Sequence, residues 1–245
     1  GELPPVDAAI FSDTQWEPRG VYEWLDWLER QLPFPVYRVT YGSLRDTIIL
    51  KQNPDSEGSF ASIPWHLAMP DGRAGMGMRQ CTANYKLKPL VRKKRELLGY
   101  QRGQRIPLES CETLIGISVD EATRAKDSAE PWNVNIFPLL DLRMSRLDCL
   151  RWMETHGYPT PPKSSCLGCP FHSDSQWRNI KDGDAEAWAD LVQLDRVIRH
   201  PVRGMKGKQF MHRSLKPLDQ VDFRTEEELG QINLFENECE GMCGL

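Results

Sequence analysis

The feature that most restricts this chain is its opening order of strand, helix and strand. Val6-Asp-Ala-Ala-Ile-Phe11 is a short buried-strand pattern ending at Ser12-Asp13-Thr14. Val21, Trp24, Leu25, Leu28 and Leu32 then recur at helical spacing until Pro33, and Val36-Tyr-Arg-Val-Thr-Tyr41 reads as a second strand. Two strands joined through a helix pair in parallel, because an antiparallel pair needs only a tight turn. Parallel strands in turn need cover on both faces, which predicts an α/β domain. Thr113-Leu-Ile-Gly-Ile-Ser-Val119 is the clearest further strand, and Phe137–Leu142 reads as another extended segment. Asn53–Met78 shows no period and reads as a long loop near a site.

Helices are expected along the basic stretch from Lys86, around Leu147–Met153 closing at Gly157, and over Ala185–Ile198. The apolar side of the basic helix is expected at Leu87, Leu90, Val91 and Leu98. From Arg203 the chain reads as polar and turn-rich. The organisation is an α/β region over 1–157 and a cysteine-bearing, mostly helical region over 158–245.

Eight Trp and eight Phe in 245 residues are enough to fill a core of that size. The longest apolar runs, Ile48–Leu50 and Ile136–Leu140, are too short to span a bilayer, and no basic-then-apolar leader is visible. A cytoplasmic protein with no membrane partner is expected. A net charge of −4 argues against a general nucleic-acid coat. Lys86, Lys88, Arg92, Lys93, Lys94, Arg95, Arg102 and Arg105 nevertheless meet a single acid, Glu96. Such a face suits an anionic partner, DNA or tRNA over 86–105, or is a solvated helix surface.

Seven cysteines without a secretion signal do not suit a disulfide framework. Cys111 and Cys149 sit in apolar patterns and read as small core residues. Cys166-Leu-Gly-Cys169 is a CxxC whose two thiolates can grip one metal centre, and Pro159, Pro161 and Pro162 ahead of it favour a metal loop over a redox dithiol. Zinc, an iron–sulfur cluster and coincidence all stay open. His172 nearby reads as structural more often than ligating. Cys81 stands at the entry of the basic helix between Arg79 and Lys86, where amide groups favour a thiolate or an anion; a buried thiol is the plainer reading. Cys239 and Cys243 form a CxxxC that shuttles sulfur or reducing equivalents, ligates metal, or is a plain exposed pair. Asp120, Glu121 and Arg124 follow the strongest strand and suit Mg²⁺ or ribose hydroxyls, or alternatively a helix cap with an ion pair.

Four segments in order, Phe11-Ser-Asp-Thr-Gln-Trp-Glu17, Arg79-Gln-Cys-Thr-Ala-Asn-Tyr-Lys86, Leu114-Ile-Gly-Ile-Ser-Val-Asp-Glu-Ala122 and Lys163-Ser-Ser-Cys-Leu-Gly-Cys-Pro-Phe171, carry a resemblance. The chain resembles the phosphoadenosine phosphosulfate reductase-like family of the adenine nucleotide α-hydrolase superfamily. Phage and bacterial members related to the ATP pyrophosphatase component of DNA phosphorothioation look most similar. The likeness runs from Val6 to about Phe171 and more loosely to Cys243.

It implies a Rossmann-like parallel sheet, an adenine nucleotide (ATP or an adenylyl sulfate with Mg²⁺) and sulfur transfer. It implies a [4Fe–4S] cluster on Cys81, Cys166 and Cys169, with zinc as the alternative. Asp13, Arg79, Lys86, Asp120, Arg124 and Lys163 are the implied nucleotide and phosphate ligands. Cys239 or Cys243 is the implied sulfur carrier, nucleophile or fourth ligand, served by a sulfur-donor or thioredoxin-like protein. The family's Ser-Gly-Gly-x-Asp-Ser loop is not among these residues, and the chain opens where the family's second strand is expected. Two other functions compete: a thiol-dependent adenylyl sulfate reductase, and a zinc-stapled binding module without catalysis.

Overall fold

A computed structural model describes residues 5–50, 63–199 and 207–224, together with Glu228. Cys239, Cys243 and residues 53–62 of the expected long loop lie outside the described residues. Strand β1 (Ala9–Asp13) and β2 (Val36–Thr40) pair in parallel, from Ala9 against Val36 to Asp13 against Thr40. The crossover is α1 (Arg19–Gln31), which buries Val21 and Leu25. The first ladder bond, Ala9 N–H to Pro35 O at 2.9 Å, sets where β1 starts. The strand therefore begins later than its apolar pattern and runs to Asp13. Helix α2 (Leu44–Leu50) follows and buries Leu44 and Ile48.

Part of the stretch read as a long loop is a hairpin. β3 (His66–Ala68) and β4 (Ala74–Met76) are antiparallel, joined by a turn with Gly72 at φ +82°. Three-residue strands are too short to show a period of two, so the pattern concealed them. A π-helical turn (Thr82–Leu87) leads directly into α3 (Lys88–Leu97). The wider π-turn shifts the phase of the helix face. Tyr85 and Pro89 are buried, whereas Leu87, expected on the apolar side, is exposed.

β5 (Cys111–Leu114) pairs in parallel with β6 (Asn133–Ile136). Regular pairing stops well short of Val119, because β6 ends at Ile136 and Pro138 starts α4 (Pro138–Asp141). Phe137–Leu142 is thus mainly helix rather than strand, as a proline at a first helical position favours. Next come α5 (Arg146–Thr155), α6 (Asp174–Gly183) and α7 (Ala185–Ile198). Capping boxes start two of them, Ser145 with Asp148 and Ser173 with Gln176. Finally β7 (Lys208–Phe210) adds antiparallel to β3, where sequence alone suggested only turns. The described strands make a mixed α/β fold of three small sheets, two of them parallel pairs.

One core links the elements. Trp65, Trp177, Leu191, Leu194, Met211 and Leu218 are almost fully buried and pack with Trp16, Leu44, Tyr85 and Cys166. It draws residues from both 1–157 and 158–245. Asp174 joins α6 to the last segment, accepting from His212 Nε2 at 2.9 Å and from Arg213 at 3.0 Å. The His212 hydrogen bond, with Arg213 adding, holds the Asp174 carboxyl below its usual 3.8. The stability it gives is present above about pH 4 and is lost as pH falls through the lowered value. Urea midpoints of Asp174→Asn are expected to fall less than those of the parent protein between about pH 5 and pH 3, the range in which the carboxylate takes up its proton.

Candidate functional site

The CxxC loop is fastened from three sides. Leu167 N–H donates to Trp16 O at 2.8 Å, and the indole of Trp16 lies directly over Gly168. His66 of β3 bonds Pro170 O through Nε2 at 3.2 Å. His172 directs Nε2 at the carbonyls of Cys166 and Leu167, at 3.0 and 3.1 Å, with its ring edge-on to Trp177. Burial lowers the pKa of both imidazoles, which suits neutral rings donating from Nε2. His172 shapes the loop, and its Nε2 is committed to backbone.

Three segments converge on one cleft. The end of β1 supplies Thr14, the π-turn region supplies Arg79, Cys81, Thr82 and Lys86, and the loop supplies Ser164, Ser165, Cys166 and Cys169. Leu44, Pro64 and Phe171 add apolar wall. Arg79 is steered by Thr82 Oγ1 at 3.2 Å and lies over the Phe171 ring at 5.4 Å. The fold thus gathers all three expected metal-binding cysteines and two expected phosphate-binding cations, Arg79 and Lys86.

Glu17 stands behind this wall. It is 4% exposed, accepts from Thr14 Oγ1 at 3.0 Å, and its Oε2 has no hydrogen-bond partner. Burial raises its pKa, with Lys86 and Thr14 working against that rise. Burial also pushes the Cys166 thiol up to about 12, and the Glu17 charge adds to the effect. A buried thiol beside a carboxylate stays protonated until a cation takes the proton's place. Sequence reasoning quoted Glu17 without singling it out; the available signal was an acid between Trp16 and Pro18 at a strand exit.

The other expected site residues are engaged elsewhere. Asp13 accepts from Tyr22 Oη at 2.9 Å and from Gln15 N–H at 2.7 Å, holding a turn in which Gln15 has φ +56°. Asp120 accepts from Ser118 Oγ at 3.2 Å and from Arg146 N–H at 2.6 Å, so it caps the start of α5. Glu121 and Arg124 form an ion pair. Neither Asp13, Asp120 nor Arg124 lines the cleft. Lys163 is exposed at the start of the CxxC loop.

Most cations of the basic helix serve the fold. Arg92 donates to Thr40 O at 3.1 Å, Lys93 pairs with Glu96 and lies over Tyr37, and Arg95 reaches the carbonyl of Gln101 at 2.8 Å. Lys94 donates to Thr113 and Asn133 at 3.0 and 2.8 Å, tying α3 to the β5–β6 pair.

No protein-family model, curated protein or solved structure matches the chain. Function must therefore be read from the cleft. Its donor set suits soft metals through sulfur and anions through Arg79 and Lys86. Among the described residues no three His, Cys, Asp or Glu side chains are drawn together tightly enough to surround one metal ion. A single structural zinc needs four donors around one point at roughly 2–2.3 Å, whereas a cluster of several irons takes thiolates from a wider rim. Among the described residues no helix is long and apolar enough to cross a membrane.

Proposed function

We propose that this protein is a sulfur-transfer enzyme of the phosphoadenosine phosphosulfate reductase-like kind, acting on an adenine nucleotide within a Rossmann-like α/β frame. The observation that carries the reading is the meeting of Cys81 with Cys166 and Cys169 beside Arg79 and Lys86 in one cleft. Cys81, Cys166 and Cys169 would hold a [4Fe–4S] cluster in this reading, and Glu17 Oε2 stands where it could accept the proton of Cys166. When bound, the cluster supplies a soft, redox-active centre for sulfur.

Arg79 and Lys86 bind the phosphate of an adenylylated acceptor and neutralise the charge that grows as adenylate leaves. Thr82 and Ser164 offer hydroxyls to the same phosphate. The sulfur nucleophile forms its bond to the acceptor atom as the bond to the phosphate oxygen breaks, and AMP carries away that electron pair. A persulfide-bearing donor protein is the class of reagent that supplies the sulfur, with Cys239 or Cys243 carrying it as the attacking persulfide; the other thiol of the pair then cleaves the S–S bond to release the acceptor's thiol, and a thioredoxin-like dithiol reduces the Cys239–Cys243 disulfide that results.

Anaerobically purified protein is expected to be brown, with about four irons and a matching amount of acid-labile sulfide per chain. Cys81→Ser, Cys166→Ser and Cys169→Ser should each lose both. Colourless protein carrying stoichiometric zinc would replace this reading with a zinc-stapled binding module. Arg79→Ala and Lys86→Ala are expected to keep the metal and to weaken adenine-nucleotide binding about tenfold each, the loss of one charge-assisted phosphate contact of about 1.5 kcal/mol.

A further inference from the structure

Where α6 begins, just past the CxxC loop, a serine, a histidine and a carboxylate form one hydrogen-bonded chain. Ser214 Oγ lies 2.8 Å from His212 Nδ1, and His212 Nε2 lies 2.9 Å from Asp174 Oδ1. The backbone fixes the proton positions. Ser214 N–H donates to Nδ1 at 3.2 Å, so that nitrogen carries a lone pair and the ring proton sits on Nε2, facing Asp174. The Ser214 hydroxyl donates to the same lone pair over the shorter distance. Arg213 holds the other carboxylate oxygen of Asp174 at 3.0 Å.

The three groups differ in exposure. His212 is buried with its ring edge-on to Phe223 at 5.6 Å, Asp174 is partly buried, and Ser214 is exposed. The turn that presents Ser214 is pinned at both ends. Asp195 accepts from Met211 N–H before it and from Leu218 N–H after it, each at 3.0 Å. Leu215 N–H closes the turn on His212 O at 3.1 Å, with Leu215 at φ +55°. A leucine in the left-handed region is strained, and it stays there because its surroundings are fixed.

We propose that Ser214 is a nucleophile with His212 as its general base and Asp174 as the group that orients the base, and that this site cleaves short-chain acyl esters. A nucleophile, a base and an orienting acid within hydrogen-bond reach, in that order, are what an activated hydroxyl requires. A purely structural role leaves the hydroxyl unexplained, because Asp174 and the Ser214 N–H already set the ring. The chemistry is independent of the metal and nucleotide reading of the cleft.

Ser214 Oγ attacks the ester carbonyl carbon as its proton passes to Nδ1, and Asp174 stabilises the imidazolium. The carbon–oxygen bond to the alcohol breaks, and the alcohol leaves with that proton. Water then attacks the acyl-serine and gives a proton to Nδ1, which returns it to Oγ as the carboxylic acid departs. Arg213 and Lys216 lie on either side of Ser214 and are exposed, so cations stand ready for the charge that grows on the carbonyl oxygen. An exposed turn offers no wall for a long chain, which limits the acyl group to a short one.

The test is labelling of the whole protein with a rhodamine-tagged fluorophosphonate, followed by peptide mapping, beside hydrolysis of p-nitrophenyl acetate. About one label per chain is expected, on Ser214, and none after heat denaturation. Ser214→Ala should lose both the label and the esterase activity while keeping the parent's urea midpoint. His212→Gln and Asp174→Asn should each slow labelling about 10²- to 10⁴-fold. Ser175→Ala, a neighbouring exposed serine outside the chain of three, should label like the parent. An unlabelled parent protein, a label on another residue, or a label retained in Ser214→Ala overturns the proposal, and none of these depends on how well His212→Gln folds. Unchanged labelling of Asp174→Asn overturns the three-residue relay. Iron and sulfide content of Ser214→Ala is expected to match the parent, so failure here and failure of the cleft reading are separate results.

Discussion

A Gly168→Ala variant is expected to lose about 1–3 kcal/mol of stability, with a fall in thermal midpoint of about 3–10 °C for a domain of this size. A methyl group on Gly168 would sit 2.1 Å from Cη2 of Trp16 and 2.8 Å from two further ring carbons. The ring cannot simply swing away. Trp16 is 4% exposed and belongs to the shared core, and its own backbone carbonyl holds Leu167. Relief therefore has to come from the loop, which moves Cys166 and Cys169 relative to Cys81.

Two measurements separate the outcomes: urea unfolding for stability, and iron content for the cleft. Gly183→Ala is the control, since nothing lies within 4 Å of its added carbon and the residue ends α6. It is expected to be neutral or to stabilise by a few tenths of a kcal/mol up to about 1 kcal/mol. Equal stability of Gly168→Ala and the parent would show that the indole does not clamp the loop.

The larger loss is expected from Asp195. This carboxylate is fully buried on α7, where Oδ1 accepts from Met211 N–H and Oδ2 from Leu218 N–H, each at 3.0 Å. Arg199, one turn on, pairs with Oδ2 and supplies the countercharge. Asp195→Ala strands two buried N–H groups and a partly buried guanidinium, at a cost of about 2–4 kcal/mol. Asp195→Asn is expected to cost about 1–3 kcal/mol, because one acceptor becomes a donor facing another donor.

The damage should reach the cleft. The segment from 207 to 224 supplies β7, β7 pairs with β3, and β3 presents His66 to Pro170 O. In urea below the main transition, Cys166 and Cys169 of Asp195→Ala should react with a thiol reagent faster than in the parent protein. Unchanged stability in Asp195→Ala would mean that the last segment is held by its apolar contacts alone.

Much of the local structure was legible from periodicity. The β1–α1–β2 unit has long elements of one period each, and its parallel pairing follows from the crossover helix. Helix α7 has the predicted bounds, because Leu191, Leu194 and Ile198 repeat on one face and Asp184 caps the start. Elements of three or four residues escaped, as in β3, β4, β7 and α4, since so few residues cannot establish a period. Helix α6 was also overlooked, although Ser173 and Gln176 spell a capping box. The face of α3 was misjudged at Leu87 because a π-turn, which leaves no apolar signature, changes the phase of everything after it.

The candidate site divides along the same line. Residue chemistry was readable: a CxxC between prolines suits a loop, and Cys81 between the cations Arg79 and Lys86 suits a place where an anion binds. The loss of Asp13, Asp120 and Arg124 from the cleft was not readable, because a carboxylate that caps a turn and one that binds a ligand have the same sequence context.

By itself the sequence determined the α/β class, the crossover unit and which side chains carry soft-metal and anion chemistry, since these depend on local spacing and on the nature of each group. Only the tertiary structure decided that Cys81 joins the CxxC, that Glu17 is buried beside Cys166, and that the basic helix spends its charge internally. Those facts depend on contacts between segments far apart in the chain, and close packing fixes such contacts while no local pattern encodes them.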